Sequence, residues 1–354
     1  MKQQHPVKLG ISVGDLNGVG CEVALKSLQD ARILTSCTPI FFASNKTIAF
    51  QKQTFNIDLK FHGIRSLDKV EHGKVNVLSV FKEDFEVAFG TSTPEAGKLA
   101  VASLEAATKA LKDGEIDALV TAPINKSNVQ SERFSFPGHT DYLAKELGGE
   151  ALMFMISEGL RVGLLTDHIA VSEVANAITT KRIRDKVKIM NQSLIQDFGI
   201  VRPRIALLGI NPHSGDDGTI GSEDDNIMRP AIQSLFDEGI MAFGPYAADG
   251  FFGSSAYASF DGVIAAYHDQ GLVAFKTLSF GQGVNYTAGL SKVRTSPDHG
   301  TAYGIAGQGE ADPTSFTQAI YAAIDIVKRR SSHLEYEANK LKPSQKKAPK
   351  ERNA

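Results

Sequence analysis

Short apolar runs alternate with helix-length segments along most of this chain, and that alternation restricts the fold more than any other feature. The runs are Lys8 to Val13, PIFFAS (39–44), VNVLSV (75–80), IDALVT (116–121), LMFMIS (152–157), RVGLLT (161–166), RIALLGI (204–210) and DGVIAAY (261–267). Each has the length and the boundaries of a buried strand. Between them lie helical stretches with recognisable ends. Thr93-Pro94 opens one that closes at Gly114, and acidic residues occupy the first turn of the segment SEDDNIMRPAIQSLFDEG. A final helix is expected from about Pro313 to Leu341. Strand and helix in alternation predict an α/β architecture with mostly parallel sheets. The expected layout is two α/β/α lobes with a cleft between them. We place residues 1–125 with 300–341 in the first lobe, residues 126–299 in the second, and a basic disordered tail at 342–354.

The bulk properties narrow the class. The chain has 354 residues, 42% hydrophobic and 22% charged, with a formal net charge of −2. A net charge near zero gives no global basic footprint for nucleic acid. No apolar run approaches the roughly 18 residues of a membrane span, and the N-terminus lacks signal-peptide architecture. Cys21 and Cys37 are the two cysteines, which suits buried thiols in a reducing cytoplasm. A cytoplasmic enzyme with no membrane partner is the expectation.

Side chains that carry chemistry concentrate at the ends of the runs. DGVIAAY is the last clear strand, and the glycine-spaced stretch after it collects Lys276, Asn285, Arg294, Asp298 and His299. His168, His213 and His268 each follow an apolar run, separated by 45 and 55 residues. In open parallel sheets ligands bind beyond the carboxyl ends of strands, so these imidazoles can converge. Alone, each is read as structural; together they suit a catalytic divalent cation. Asp249 and Asp269 are carboxylates that could orient the imidazoles or join the metal. His139 and Thr140 at a helix start, with Lys276, Asn285 and Arg294, form a second set suited to a phosphate dianion. The loop Gly14-Asp15-Leu16-Asn17-Gly18-Val19-Gly20 matches neither the dinucleotide fingerprint nor the P-loop. It is read as a tight βα turn or an anion loop.

The segments GDLNGVG, TAPINK, FPGHTDYLA, LLTDHIAV, INPHSGDDGTIGSED, GPYAADGFF, AAYHDQGLVAFK and GVNYTAGLSKVRTSPDHGTA occur in order along the chain. On them the sequence resembles the 4-hydroxythreonine-4-phosphate dehydrogenase family of vitamin B6 biosynthesis. The resemblance implies an isocitrate/isopropylmalate dehydrogenase-like fold. It implies NAD-dependent oxidation of a phosphorylated substrate, with NADP as the other nicotinamide choice, and a homodimer whose subunits share the active site. It carries a divalent metal (zinc, magnesium or cobalt) onto His168, His213 and His268. It carries substrate binding onto His139, Thr140, Lys276, Asn285 and Arg294. The run His299, Gly300, Thr301, Ala302 to Gly307 resembles a nucleotide-binding loop. For the catalytic base the candidates are Asp249, Asp269 and Lys276. Two departures stand out: Leu16-Asn17 where the family usually has Pro-Ala, and TDHIAV in place of a TTH-like run. The competing readings are a dehydrogenase for another phosphorylated hydroxy acid, such as 4-phosphothreonate, and a phosphate acyltransferase on a related fold.

Overall fold

The computed structural model describes residues 6–81, 85–132 and 134–340; the basic tail and Leu341 lie outside them. Twelve strands form one sheet. In chain order they are β1 (Val7–Ser12), β2 (Cys37–Ala43), β3 (Phe61–Ile64), β4 (Val75–Ser79), β5 (Ala118–Thr121), β6 (Leu152–Ser157), β7 (Leu160–Leu164), β8 (Arg204–Leu208), β9 (Met241–Tyr246), β10 (Gly262–Ala265), β11 (Val284–Ala288) and β12 (Val293–Pro297). Their spatial order is β3-β4-β2-β1-β5-β12-β11-β6-β7-β10-β8-β9. The helices are α1 (Gly20–Ser27), α2 (Ile33–Ser36), α3 (Asn45–Thr54), α4 (Pro94–Lys112), α5 (His139–Leu147), α6 (Val174–Ala177), α7 (Thr180–Gln196), α8 (Arg229–Asp237), α9 (Ala248–Gly253), α10 (His268–Ser279) and α11 (Thr314–Ala338). The alternating pattern therefore does give a mostly parallel α/β sheet. No helix among the described residues is long and apolar enough to cross a membrane.

The sheet is two parallel blocks joined by strands that run against their neighbours. β3 to β5 and β12 are parallel to one another, and so are β7, β10, β8 and β9. Between the blocks, β11 is antiparallel to both β12 and β6, and β6 is antiparallel to β7. DGVIAAY is not the last strand: β11 and β12 follow it, inside the stretch read as a glycine-spaced ligand segment. VNYTA alternates apolar with polar residues and VRTSP is mostly polar, so both escape a search for apolar runs. Edge strands β3 (FHGI) and β9 (MAFGPY) also lie outside the apolar runs; β9 is interrupted by Gly244-Pro245.

Burial differs between the two faces. One continuous core packs α1, α7, α8 and α11 against strand residues such as Leu9, Ile11, Phe154, Tyr286 and Ile264. The other face has two separate cores. Ile40, Phe42 and Leu119 pack with residues of α4 and α5. Met155, Val162, Leu164, Val263 and Ala265 pack with Phe251, Leu272 and Phe275. In a strand alternate residues share a face. Arg294 pairs with Leu119, and Asn285 with both Ser296 and Met155. Thr121, Asn285, Thr287, Arg294 and Ser296 therefore lie on this second face, in the gap where its two apolar cores part.

Asp197 ties three elements behind that gap. It is fully buried and sits at the end of α7. It accepts hydrogen bonds from Ser193 Oγ (2.7 Å), Tyr286 OH on β11 (2.6 Å) and Arg330 Nε on α11 (2.5 Å). Removing one member of a buried ion pair leaves the other uncompensated. Asp197→Ala should lower unfolding stability by about 3 kcal/mol or more, read by urea denaturation. A loss within the range of ordinary surface substitutions would show that the network does not hold these elements together.

Candidate active site

A cavity of about 220 Å³ opens over the polar gap, lined by Thr121, Lys126, His139, Thr140, Asp141, Met153, His168, Asn285, Arg294, Ser296, His299 and Gly300 among others. Each element delivers its residues for a local reason. β5 ends at Thr121 and runs into Ala122-Pro123, which breaks the strand and turns the chain toward Lys126. Gly138 lets α5 begin at His139, and the Lys126 stem passes over it: a Cβ there would stand 3.7 Å from Lys126 Cε. β11 and β12 contribute Asn285, Arg294 and Ser296 from adjacent strands.

Arg294 dominates the electrostatics. It is only 2% exposed. Its guanidinium donates to Thr121 Oγ1 (2.6 and 3.1 Å) and to Thr287 Oγ1 (3.1 Å), and no carboxylate among the described residues pairs with it. Burial alone pulls its pKa from 12.5 down to about 9, so it stays charged at neutral pH. A buried cation held by two hydroxyls is an unbalanced charge. His139 is driven the other way. Burial first, then the charges of Arg294 and Lys126, push its pKa well below 6.5. It is a neutral imidazole whose buried Nε2 has no hydrogen-bond partner. Asn285 Oδ1 and His299 Nε2 are also buried and unpartnered, and both residues line the same cavity. Buried polar atoms are nearly always paired. Arg294 on β12 and the first turn of α5 line one cavity and supply donors for an anion with several oxygens, while Asn285 Oδ1, an acceptor, is open to a donor on the same ligand.

His168, also on the cavity wall, follows β7, and His268, outside the lining, opens α10 after β10. These strands are parallel neighbours, so the two rings meet with centroids 5.9 Å apart. Asp269 Oδ1 lies 2.7 Å from His268 Nδ1. Burial, then Lys126, lowers the His168 pKa, which favours the neutral imidazole that ligates a metal. His213 does not join them. It sits exposed on the turn Pro212–Gly215, and among the described residues no three His, Cys, Asp or Glu side chains are arranged to hold a metal. The fully buried Asp224 fixes the start of this turn by accepting from Ile210 N and Asn211 N. His213, Ser214, Asp216 and Asp217 all have positive φ. Such backbone costs energy and clusters at functional sites.

Other candidates stand apart from the cavity. Lys276 pairs with Asp298 at 3.0 Å and is not part of the lining. Asp249 is exposed on α9, the helix that follows β9 in the chain, and is not part of the lining. Thr301, Ala302 and Gly307 pack elsewhere: Thr301 O accepts from Val19 N at 3.0 Å, and a side chain on Gly307 would collide with Phe89. The sequence reading passed over Thr121, Lys126, Asp141 and Ser296. Lys126 was within reach, because TAPINK follows a strand end like the three histidines do. Thr121 and Ser296 became visible only through strand register.

The site geometry makes His139 a reporter of bound anion. In the unfolded chain this imidazole titrates near 6.5; in the folded chain it resists protonation. The unfolded state then binds more protons below that pH, so His139 reduces stability as pH falls. In an NMR titration its midpoint should lie well below 6.5 and move upward when inorganic phosphate is added, since the anion offsets Arg294 and Lys126. The resonance is assigned by its absence in His139→Gln. A midpoint insensitive to phosphate would contradict anion binding beside Arg294.

Relatives that carry names are similar to this chain along most of its length. The sequence profile of the family described as pyridoxal phosphate biosynthetic protein PdxA matches residues 35–323. A 4-hydroxythreonine-4-phosphate dehydrogenase from Bacteroides thetaiotaomicron is 46% identical over 342 residues, covering 96% of this chain and 94% of that protein. A protein from Symbiobacterium thermophilum provisionally named D-threonate 4-phosphate dehydrogenase is 34% identical, covering 88% of this chain and 94% of its own. The crystal structure of a 4-hydroxythreonine-4-phosphate dehydrogenase from Burkholderia phymatum superposes with a TM-score of 0.76 at 34% identity, covering 91% of this chain and 99% of that one. With the profile match spanning most of its length, the chain belongs to the PdxA family of pyridoxal phosphate biosynthetic proteins.

Proposed function

We propose that this protein is an NAD-dependent, divalent-metal-dependent dehydrogenase that oxidises the C3 hydroxyl of 4-phosphooxy-L-threonine in pyridoxal phosphate biosynthesis. Loss of the C3 hydrogen as hydride and of the hydroxyl proton gives 2-amino-3-oxo-4-phosphooxybutanoate. That β-keto acid loses CO₂ to give 3-amino-2-oxopropyl phosphate. The observation that carries the reading is Arg294: a buried guanidinium without a carboxylate, surrounded by unpartnered polar atoms, suits a phosphate monoester. The names of the relatives point to the same substrate class.

In this reading Arg294, His139, Thr140 and Asn285 hold the phosphate, and Lys126 adds an ammonium to the same wall. Holding the phosphate remote from the reacting carbon orients the hydroxyl. His168 and His268 fit two positions of a divalent metal, and Asp269 orients His268. A bound metal supplies Lewis-acid polarisation of the hydroxyl oxygen. With no third ligand at the pair among the described residues, His213 is assigned to the site of a second copy, which makes the working enzyme a homodimer. Asp269 is the one base candidate that touches the histidine pair. The segment from His299 to Gly307 is the proposed nicotinamide-dinucleotide loop, with His299 and Gly300 on the cavity wall.

The purified protein should reduce NAD with 4-phosphooxy-L-threonine, lose that activity to a chelator and regain it on metal add-back. No reduction with any phosphorylated hydroxy acid would overturn the dehydrogenase reading. Preference for D-threonate 4-phosphate would move the chain to the activity named for its Symbiobacterium relative. Variants separate the two halves of the cavity. Arg294→Ala and Lys126→Met should each raise KM for the phosphorylated substrate about ten-fold or more, the loss expected for a hydrogen bond to a charged group. His268→Ala should abolish metal-dependent turnover while leaving phosphate binding by calorimetry intact. Full activity in His268→Ala would exclude it as a metal ligand.

A further inference from the structure

The loop Gly14 to Gly20 has no role in the site so far, yet it contains the most tightly bound carboxylate near it. Asp15 is fully buried, and no Lys, Arg or His among the described residues forms an ion pair with it. Its Oδ1 accepts from Asn17 N at 2.9 Å. Its Oδ2 accepts from Asn128 Nδ2 and from Tyr303 OH, each at 2.7 Å. Tyr303 OH in turn accepts from Asn125 Nδ2 at 3.0 Å, and that amide also reaches Ser92 Oγ at 2.9 Å. Asn17 draws in residues 88–93: Ala88 N donates to its Oδ1 (2.8 Å), and its Nδ2 donates to Thr91 O (2.8 Å). Beside this cluster Val19 N donates to Thr301 O, and a Cβ on Gly18 would approach that oxygen to 2.7 Å.

We propose that Asp15 and Tyr303 form a latch that seats the His299–Gly307 loop, and that Tyr303 is thereby a positioning residue for the nicotinamide cofactor. This rests on the reading of that loop as the dinucleotide site. A buried carboxylate without a counter-ion depends on every donor it has. Of the three donors to Asp15, Tyr303 alone comes from the 299–307 loop. If the loop lifts away, Asp15 loses a donor that no neighbour replaces. Burial, with the nearby carboxylate adding to it, also raises the Tyr303 pKa, so the phenol remains a donor across the working pH range. His299 and Gly300, on the same loop, line the cavity; the latch thus fixes where the cofactor meets the substrate.

Two variants, Tyr303→Phe and Asp15→Asn, test the latch in the full-length protein, with a thermal melt confirming that each folds. Hydrogen–deuterium exchange in 299–307 should quicken in Tyr303→Phe. The dissociation constant for NADH, followed by its own fluorescence in a chain without tryptophan, should rise roughly ten-fold, the loss expected for one hydrogen bond to a carboxylate. KM for NAD should rise in parallel, while KM for the phosphorylated substrate and kcat at saturating NAD hold. The double variant should lose less than the two single losses added together, because the two residues share one bond. Unchanged exchange, an unchanged NADH dissociation constant, or a joint rise of both KM values would each overturn the proposal. If the unmodified protein neither binds NADH nor reduces NAD, the cofactor reading fails instead, and the exchange difference alone decides whether the latch exists.

Discussion

Two parallel blocks of strands that point in opposite directions can share one sheet only through antiparallel neighbours. Here β12, β11, β6 and β7 supply that reversal, and much of the site depends on it. Helices cover both parallel blocks, as they must when neither face can meet water. Over the reversal, on one face, the apolar cover divides into two cores. The strands crossing the gap present Thr121, Asn285, Thr287, Arg294 and Ser296 instead of aliphatic side chains. A polar strip in the middle of a sheet is costly unless something satisfies it, and satisfying it is what a charged ligand would do.

Charge balance gives that strip its chemistry. Arg294 is buried and uncompensated, His139 is held neutral by burial and by its cationic neighbours, and three buried polar atoms on the wall lack partners. The histidine pair at the ends of β7 and β10 is also kept toward neutrality at His168. One part of the cavity is therefore set to receive negative charge, and the other offers lone pairs. These two demands belong to different chemical partners.

The opposite face does different work. Asp197, Tyr286 and Arg330 lock α7, β11 and α11 together directly behind the polar strip. β11 thus carries a site residue, Asn285, on one side and a buried network on the other. Stability and function share a strand without sharing a side chain, because alternation sends neighbouring residues to opposite faces.

Much was legible in the residues themselves. Apolar runs and helix caps declared the α/β alternation; Thr93 does cap α4, accepting from Ala96 N. The motif segments were enough to identify the family. Strand ends also foretold that His168 and His268 would meet, since β7 and β10 are neighbours. Polar strands β11 and β12 were not legible, because their pattern serves a cavity on one face and a core on the other. Nor was the absence of Lys276 and Asp249 from the cavity wall: Lys276 pairs with Asp298, and Asp249 faces solvent on α9. Composition and local pattern determine which segments become strands and helices, because those choices are made within a few residues. Which polar side chains end up buried beside one another was decided by strand order and register, and these are set by long-range packing that no local segment encodes.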